Sequence, residues 1–317
     1  MRRANRTDES EAERMAVGQD DSGQTTSPGG ACVAVLGTGT LGAPMARNLA
    51  RSGTAVAVWN RSAERAQPLA QDGIRVCSSV PDAVHKAEIV LTMLSDSTAV
   101  TAVMQEAGGL DAMTAGAIWV QSSTVGIADT ERCAELARTA GVTFVDAPVL
   151  GTRTPAERGQ LVLLASGPDE ARERCRPAFE AIGKQTLWLG PAGTGTRLKL
   201  VVNTWLLSLV EVLAEAVAFA KAMGFDPESF FSTIEQGGVS LPYVRLKGGA
   251  MVREEFPPDF TLRLARKDMQ LVLDAAAQSR LPVPVVETVI RQFDRAIDLG
   301  HGDKDYAATY LATRSEP

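Results

Sequence analysis

A lysine and an asparagine one helical turn apart carry the most informative chemistry in this sequence. Lys199 and Asn203 lie near the start of a long apolar stretch that runs to Met223. A hydride that reaches a carbonyl carbon leaves an alkoxide, which needs a proton. A lysine at a water-poor interface can donate that proton because desolvation lowers its pKa. Asn203, four residues on, shares the helix face and can hold a substrate oxygen. Spacing alone also allows a lysine that snorkels from the edge of an amphipathic helix.

A glycine-rich turn far upstream supplies the second chemical signal. Its pattern is GxGxxG, directly after an apolar strand and directly before a helical segment. The first glycine permits a tight turn, the second lets the backbone approach a pyrophosphate, and the third allows close helix packing. We predict a dinucleotide site here, the alternative being a glycine-rich turn in another α/β fold. The predicted site residues are Gly37, Thr38, Gly39, Thr40, Leu41 and Gly42.

The end of the second strand indicates which dinucleotide is used. NAD sites place a carboxylate there for the ribose 2′-OH, but this chain has Asn60, Arg61 and Ser62. Arg61 offers a guanidinium fork to a 2′-phosphate. We therefore predict NADP(H) in preference to NAD(H), the other interpretation of Arg61 being an ordinary exposed residue at a helix start.

Two further predicted strands end in residues that should reach the same cofactor. Ligands of open parallel sheets bind at the carboxyl ends of the strands. Met93 and Leu94 follow one strand, and Ser123 and Thr124 follow the next. The two hydroxyls can bond to ribose or nicotinamide, or they can cap the following helix.

An α/β unit followed by helices must position these residues. Short apolar strands alternate with helical segments as far as about Gly190, which predicts βαβ units and a parallel sheet. The predicted strands are Cys32–Leu36, Ala55–Trp59, Ile89–Met93, Ala117–Gln121 and Thr143–Ala147. The predicted helices include Leu41–Arg51, Ala63–Gln71, Arg197–Met223, Pro227–Gln236, Phe260–Ser279 and Pro284–Asp298.

These elements predict a chain of three parts, namely a tail and two domains. Residues 1–30 are polar and poor in large apolar side chains, which predicts a disordered tail, and they lack the apolar region of a secretory signal. Residues 31–192 form a predicted Rossmann-type domain, and residues 193–313 a predicted all-α domain with a long interdomain helix. Lys199 is expected in the first turn of that helix, where the positive end of the helix dipole disfavours its charge.

Composition restricts the class of partner. The 317 residues carry a net charge of -6, which argues against nucleic acid or an anionic membrane surface and favours a small molecule. Four cysteines without CxxC spacing and two histidines predict no disulfide framework and no metal site, which fits a reducing cytosol. The apolar stretch to Met223 is long enough for a membrane span, but central charged residues interrupt it. We predict a buried or subunit-interface helix instead.

Five ordered motifs resemble the β-hydroxyacid dehydrogenase family, in particular proteins similar to 3-hydroxyisobutyrate dehydrogenase. The similarity runs from Val33 to about Leu311 and is nearest to the glyoxylate/succinic semialdehyde reductase branch, as suggested by residues 155–161, 256–269 and 300–306. The five motifs are Gly37–Gly42, Asn60-Arg61, Asp146–Val149, Gly193–Asn203 and Lys267-Asp268.

The resemblance implies roles for individual residues. It makes Lys199 the catalytic lysine and Asn203 the residue that orients the substrate. Thr124 would lie near nicotinamide and substrate, and Lys267 would lean over the cofactor with its neighbour Asp268 beside it. Phe260 either walls the nicotinamide pocket or belongs to the core. The resemblance also implies a homodimer or homotetramer.

One motif departs from the family pattern. After Asp-Ala-Pro-Val the family usually has a serine and two glycines that hold a substrate carboxylate, whereas this chain has Leu150, Gly151 and Thr152. Leu150 removes the hydroxyl donor and adds apolar bulk. The N–H groups of Gly151 and Thr152 can still form an anion-binding nest, and Thr152 or Arg153 can add side-chain donors. The substrate set, with Thr124, Lys199 and Asn203, is thus compatible with a larger or less polar carbonyl.

The resulting hypothesis is an NADPH-dependent reductase of a small aldehyde or keto acid. Because NADPH pools are kept reduced, the expected direction is from carbonyl to alcohol. One alternative is imine reductase-like reduction of a C=N bond, favoured by Leu150 and opposed by Lys199. The other is a non-catalytic module that binds NADPH, opposed by Lys199 and Asn203. A sugar-phosphate dehydrogenase would need more basic residues and a longer helical domain.

Overall fold

A six-stranded parallel sheet begins the part of the chain that the structure, a computed structural model, describes, namely residues 32–314. The tail predicted over residues 1–30 lies outside it. The strand order is β3-β2-β1-β4-β5-β6, and every neighbouring pair is parallel. The order reverses between β1 and β4, which is where open α/β sheets bind ligands. The strands are β1 Cys32–Leu36, β2 Ala55–Trp59, β3 Arg75–Val76, β4 Ile89–Thr92, β5 Ile118–Gln121 and β6 Thr143–Asp146.

Apolar clusters cover both faces of this sheet. Successive residues of β1 alternate between them, with Val33 and Val35 on one side and Ala34 and Leu36 on the other, as the two-residue period of a strand requires. The helix predicted over Ala63–Gln71 is wrong in its second half, where a 3-10 segment begins at Gln67; the following proline lacks an N–H to continue an α-helix. The helices of this part are α1 Gly42–Arg51, α2 Ala63–Ala66, α3 Val80–Val84, α4 Ser97–Thr101, α5 Gly109–Ala112 and α6 Ile127–Thr139.

A small mixed sheet that was not predicted follows the first. It contains β7 Val149–Leu150, β8 Leu161–Ala165 and β9 Gly183–Trp188, with β7 antiparallel and β9 parallel to β8. Two helices, α7 Arg153–Glu157 and α8 Asp169–Ile182, connect its strands. An isolated bridge between Asp146 and Ser166 joins the end of β6 to the end of β8.

After β9 the described chain is helical, as expected. Helix α9 begins three residues before its predicted start, so Lys199 lies in the second turn and not the first. The effect of the helix dipole falls off within the first turn, and that part of the expectation is therefore wrong. The helices are α9 Thr194–Ala222, α10 Pro227–Gln236, α11 Pro242–Arg253, α12 Leu262–Gln278, α13 Pro284–Ala296 and α14 Tyr310–Thr313.

Helix α11 was not predicted, because two adjacent glycines obscure its periodicity. A Cβ on Gly248 would lie 2.5 Å from the Phe231 ring. Glycine is therefore needed there for the close approach of α11 to α10.

Helix α9 has the length and composition of a membrane span, with a mean hydropathy of 1.7 over 18 residues, although only 44% of that window is buried. Its buried residues, among them Leu207, Val210 and Val217, pack in one apolar cluster with residues of α11, α12 and α13. The core helix of a soluble protein has the same properties. A second face, including Trp205 and Phe219, is exposed.

Candidate functional site

The turn between β1 and α1 has the geometry of a phosphate loop. Gly37 has φ +101°, and a Cβ there would lie 2.3 Å from the carbonyl oxygen of Met93. A Cβ on Gly42 would lie 1.9 Å from the Gly37 carbonyl oxygen. A Cβ on Gly39 would have no atom within 4 Å. The first and third glycines are therefore required by the fold itself, while the second leaves open space where a pyrophosphate can approach the backbone.

Asn60 joins the end of β2 to this loop. Its Oδ1 accepts a hydrogen bond from Thr38 N at 3.0 Å, and its Nδ2 donates to Ser62 O at 2.9 Å. Asn60 thus shapes the loop with both ends of its side chain. The Thr38 hydroxyl is buried and has no hydrogen-bond partner among residues 32–314. A buried orphan hydroxyl beside the open loop fits a ligand that supplies the missing bond.

Two basic residues follow the end of β2, and the second of them lines the groove that runs from this loop. Arg61 is exposed and forms no ion pair within the described part of the chain. Arg65, one turn later, lines the groove and was not predicted, although its i+4 spacing from Arg61 was a usable signal. The groove has a volume of about 410 Å³ and is lined by Thr38, Gly39, Thr40, Ala43, Pro44, Arg47, Arg65, Arg153 and Glu157.

The ends of β4 and β5 lie together, as predicted. Leu94 N donates to the Ser123 hydroxyl at 2.8 Å, so Ser123 already binds the neighbouring turn. Neither Ser123 nor Thr124 caps the next helix, since α6 begins at Ile127 with Gly126 as its N-cap. The capping interpretation is therefore wrong. Thr124 is half-buried, and its carbonyl oxygen accepts from Lys267 Nζ at 2.6 Å.

A buried carboxylate holds the start of α9. Asp146, at the end of β6, accepts from the backbone N–H and the hydroxyl of Thr196, both at 2.8 Å, and from the Ser166 hydroxyl at 3.1 Å. Burial raises the pKa of Asp146, and these hydrogen bonds oppose the rise. A Cβ on Gly195 would lie 2.0 Å from Leu164 O. Asp146 therefore acts as a helix cap supplied from another element, which anchors α9 three residues before Lys199.

The Lys199 side chain reaches from α9 to strand β7. Its Nζ donates to Val149 O at 2.9 Å. Desolvation by burial lowers the pKa of the lysine; the Asp268 carboxylate opposes this, and the Lys267 charge adds to it. The ammonium is thus held by one backbone carbonyl in a setting that makes it more acidic than an exposed lysine.

Asn203 and Lys267 meet at one carboxylate. Asn203 Nδ2 donates to Asp268 Oδ2 at 2.9 Å, and Lys267 Nζ lies 2.9 Å from Asp268 Oδ1. The Oδ1 atom of Asn203 is buried and unpartnered among the described residues. Together with the bond from Lys267 to Thr124, these contacts bring the predicted catalytic pair, Lys267 and Thr124 to one place.

The departure from the family motif lies on the neighbouring strand. Leu150 is half-buried and pairs with Val162 across β7 and β8. Gly151 has φ +131°, and a Cβ there would meet the Leu161 side chain at 2.7 Å. The Thr152 side chain does not cap α7. Arg153, predicted as a possible substrate donor, donates from Nη2 to Pro258 O at 2.9 Å.

Phe260 has features of both predicted roles, a wall of the nicotinamide pocket and a core residue. It is half-buried and packs at the edge of the helical cluster, where its ring meets Tyr306 edge-to-face with centroids 5.4 Å apart. Its backbone N–H faces the Asp305 carboxylate at 3.4 Å. These contacts fix the loop that leads into α12, the helix that carries Lys267 and Asp268.

Comparison with known proteins agrees with this geometry. Residues 32–190 match the model of the NAD binding domain of 6-phosphogluconate dehydrogenase. Residues 193–312 match the model described as NAD-binding of NADP-dependent 3-hydroxyisobutyrate dehydrogenase. Glyoxylate/succinic semialdehyde reductase 1 of Arabidopsis thaliana is 32% identical over 283 residues, which cover 89% of this chain and 98% of that protein.

Solved structures show the same fold. The 3-hydroxyisobutyrate dehydrogenase of Mycobacterium tuberculosis, solved with L-serine, has a TM-score of 0.82 and 27% identity, covering 90% of this chain and 100% of that one. An imine reductase from Pseudomonas sp. has a TM-score of 0.61 and 21% identity over 90% of this chain and 100% of its own, and it shares the fold alone. The matched models, the reductase relative and the phosphate loop together show that this chain belongs to the 3-hydroxyisobutyrate dehydrogenase family of NAD(P)-dependent oxidoreductases.

Proposed function

We propose that this protein reduces a small aldehyde or keto acid with NADPH and that Lys199 donates the proton. The bound nicotinamide supplies the hydride to the carbonyl carbon. The observation that carries the proposal is the desolvated Lys199 ammonium, 2.9 Å from a single backbone carbonyl and beside the Asn203–Asp268 pair. A carbonyl oxygen that replaces Val149 O as its partner receives a proton from a group of lowered pKa, as general acid catalysis requires.

Asn203 is proposed to orient the reacting oxygen with both ends of its side-chain amide. Asp268 accepts one of the two Nδ2 hydrogens, so the second can donate to the substrate carbonyl, while the unpartnered Oδ1 is an acceptor suited to the hydroxyl of the alcohol product. Lys267 is held at this site by its bond to Thr124 O. Its charge also helps to keep the pKa of Lys199 low.

The preference for NADPH over NADH rests on the end of β2. No carboxylate stands there, and Arg61 is exposed with no ion-pair partner in the described chain, while Arg65, four residues later, lines the groove beside the phosphate loop. Two guanidinium groups one turn apart suit the bidentate binding of a 2′-phosphate.

The substrate class follows from the relatives and from Leu150. Glyoxylate and succinic semialdehyde are named for the Arabidopsis thaliana relative, and both pair an aldehyde with a carboxylate. The half-buried Leu150 brings no donor to this part of the cleft, so we expect carbonyl compounds with an apolar substituent to be accepted as well. We retain the cytosol as the predicted compartment.

The exposed face of α9 supports a proposal about assembly. Trp205, Val212 and Phe219 are each more than half exposed and are spaced seven residues apart. A seven-residue apolar repeat is typical of a seam between two helices. We propose that a second copy of this chain covers it, giving at least a homodimer.

The test is a panel of carbonyl and imine compounds monitored by NADPH consumption, including glyoxylate and succinic semialdehyde, with the native protein and Lys199→Ala. We expect carbonyl reduction by the native protein and a loss of at least about a hundredfold in the variant, with NADPH binding retained. Unchanged turnover in Lys199→Ala contradicts the assigned role. Imine reduction alone supports the C=N alternative, and NADPH binding without turnover of any compound supports the non-catalytic one.

A further inference from the structure

Arg153 connects three parts of the site that no other groove-lining residue connects. It follows the strand β7 and opens helix α7. Its Nη2 donates to Pro258 O at 2.9 Å, and its Nε lies 3.8 Å from Asp259 Oδ1, so it reaches the loop before α12. The same side chain lines the groove of the phosphate loop with Thr38 and Gly39.

The other two arginines of the groove differ from Arg153 in their contacts. Arg47 forms an ion pair with Asp72 at 2.8 Å, inside the nucleotide-binding part. Arg65 has no ion-pair partner among the described residues. Of these three cations, Arg153 alone is bonded to the helical part of the chain. An anion in the groove therefore meets a cation that already holds the loop over residues 256–260.

That loop in turn positions the catalytic cleft. It leads directly into α12, which carries Lys267 and Asp268, and its own backbone is held from the other side by Asp305. The buried pair of Lys247 and Asp305, 2.7 Å apart, keeps this second anchor rigid. The other contacts of this loop described above come from the helical part of the chain. Arg153 therefore connects the loop to the part of the chain that carries the phosphate loop.

We propose that Arg153 is a strap that binds the cofactor pyrophosphate while it holds the 256–260 loop, so that the residence of the dinucleotide depends on it. The inference rests on the proposed binding of NADPH. The planar guanidinium can serve the carbonyl of Pro258 and an anion at once, because its donors point in several fixed directions. The Pro258 carbonyl and the anion favour the same position of the Arg153 side chain, so binding of either one favours binding of the other by linkage. Glu157, the acidic residue on the groove wall, opposes the anion and makes the arginine more necessary.

The test compares Arg153→Ala and Arg153→Lys with the native protein by stopped-flow fluorescence of bound NADPH chased with NADP+. We expect NADPH to dissociate about tenfold faster or more from both variants, in keeping with the loss of one charge-assisted hydrogen bond. The lysine variant keeps the positive charge but lacks the several fixed N–H donors of the guanidinium. NADPH dissociation from Arg153→Lys at the native rate therefore overturns the strap and shows that charge attraction alone is enough.

Arg197→Ala is the matched control. Arg197 also joins the helical part to the nucleotide part, through Glu131 at 3.4 Å, but it does not line the groove. We expect its NADPH dissociation rate to equal the native rate, and a tenfold increase there contradicts a specific role for Arg153.

Hydrogen exchange of residues 254–261 gives a readout that does not depend on turnover. NADPH is expected to slow exchange in the native protein and in Lys199→Ala, but not in Arg153→Ala, whose melting temperature without cofactor should match the native value. Equal protection in Arg153→Ala overturns the strap alone. A native protein that does not bind NADPH overturns both the strap and the proposed function, whereas normal binding with no substrate reduced contradicts only the reductase.

Discussion

The side-chain amide of Asn203 donates to the carboxylate of Asp268 across 2.9 Å in a buried part of the cleft. The two residues lie 65 positions apart, on α9 and α12. This bond orients Asn203 so that its oxygen has no partner among residues 32–314, and it places a negative charge near Lys199. The relationship therefore links the proposed orientation of the substrate to the acidity of the proposed proton donor.

Replacement of Asp268 should shift the pH dependence of reduction. In the proposed mechanism Lys199 must be protonated to donate, so kcat/KM is expected to fall as pH rises through its pKa. Desolvation lowers that pKa and the Asp268 carboxylate raises it. In Asp268→Asn the pKa falls further, and we expect the basic limb of the kcat/KM profile to move to lower pH. Asp303→Asn, in an exposed ion pair with Arg263, is the control and should keep the native profile; an unmoved limb in Asp268→Asn contradicts the coupling.

Two glycines of the phosphate loop should respond differently to alanine. A Cβ on Gly39 meets open space, so Gly39→Ala should melt at the native temperature while NADPH binds at least about tenfold more weakly, because the methyl group enters the ligand space. A Cβ on Gly42 lies 1.9 Å from Gly37 O, so Gly42→Ala should destabilise the fold by about 1–3 kcal/mol. Thermal melts and NADPH titrations check both. Native-like NADPH affinity in Gly39→Ala would show that the ligand does not lie against this turn.

The buried Glu211 should make stability depend on pH. Desolvation raises its pKa to about 7, against a hydrogen bond from the Thr309 hydroxyl that lowers it and the Glu215 charge that raises it. Because the folded pKa lies above the unfolded value, the contribution to stability is present below about pH 4.5 and is lost as pH rises through about 7. Glu211→Gln cannot titrate, so relative to the native protein it should gain about 3 kcal/mol between pH 4.5 and pH 8. Chemical denaturation at several pH values measures this difference, and a difference that is constant with pH refutes it.

A charge in the exposed seam of α9 should break the proposed dimer. Trp205 is 56% exposed, and a carboxylate there cannot be buried between two copies without a large desolvation cost. We expect light scattering to give at least a dimer mass for the native protein and a monomer mass for Trp205→Glu. Leu281→Glu, at an equally exposed apolar position outside α9, should remain a dimer. A monomeric native protein contradicts the proposal directly.

Local signals were sufficient for much of the nucleotide-binding part. Strands β1 and β2 begin and end at their predicted residues, and the glycine turn lies between β1 and α1 as expected. Both predictions depend on features a few residues apart, namely the two-residue period of buried strands and glycine where the backbone φ is positive or space is short. The predictions failed at the 3-10 segment after Ala66 and at the glycine-containing helix α11. Both failures have the same cause, because proline and glycine weaken the local pattern.

The sequence by itself therefore determined the fold class, the phosphate loop and the identity of the lysine and asparagine on one helix face. Only the tertiary structure decided what those two side chains contact. Val149 O, 50 positions away, receives the Lys199 ammonium, and Asp146, also 50 positions from its partner Thr196, caps the helix that presents it. Such contacts depend on the packing of α9 against two sheets and α12, and the chain's local periodicity contains no signal for them. Burial in that packing, and not the helix dipole, lowers the pKa of Lys199.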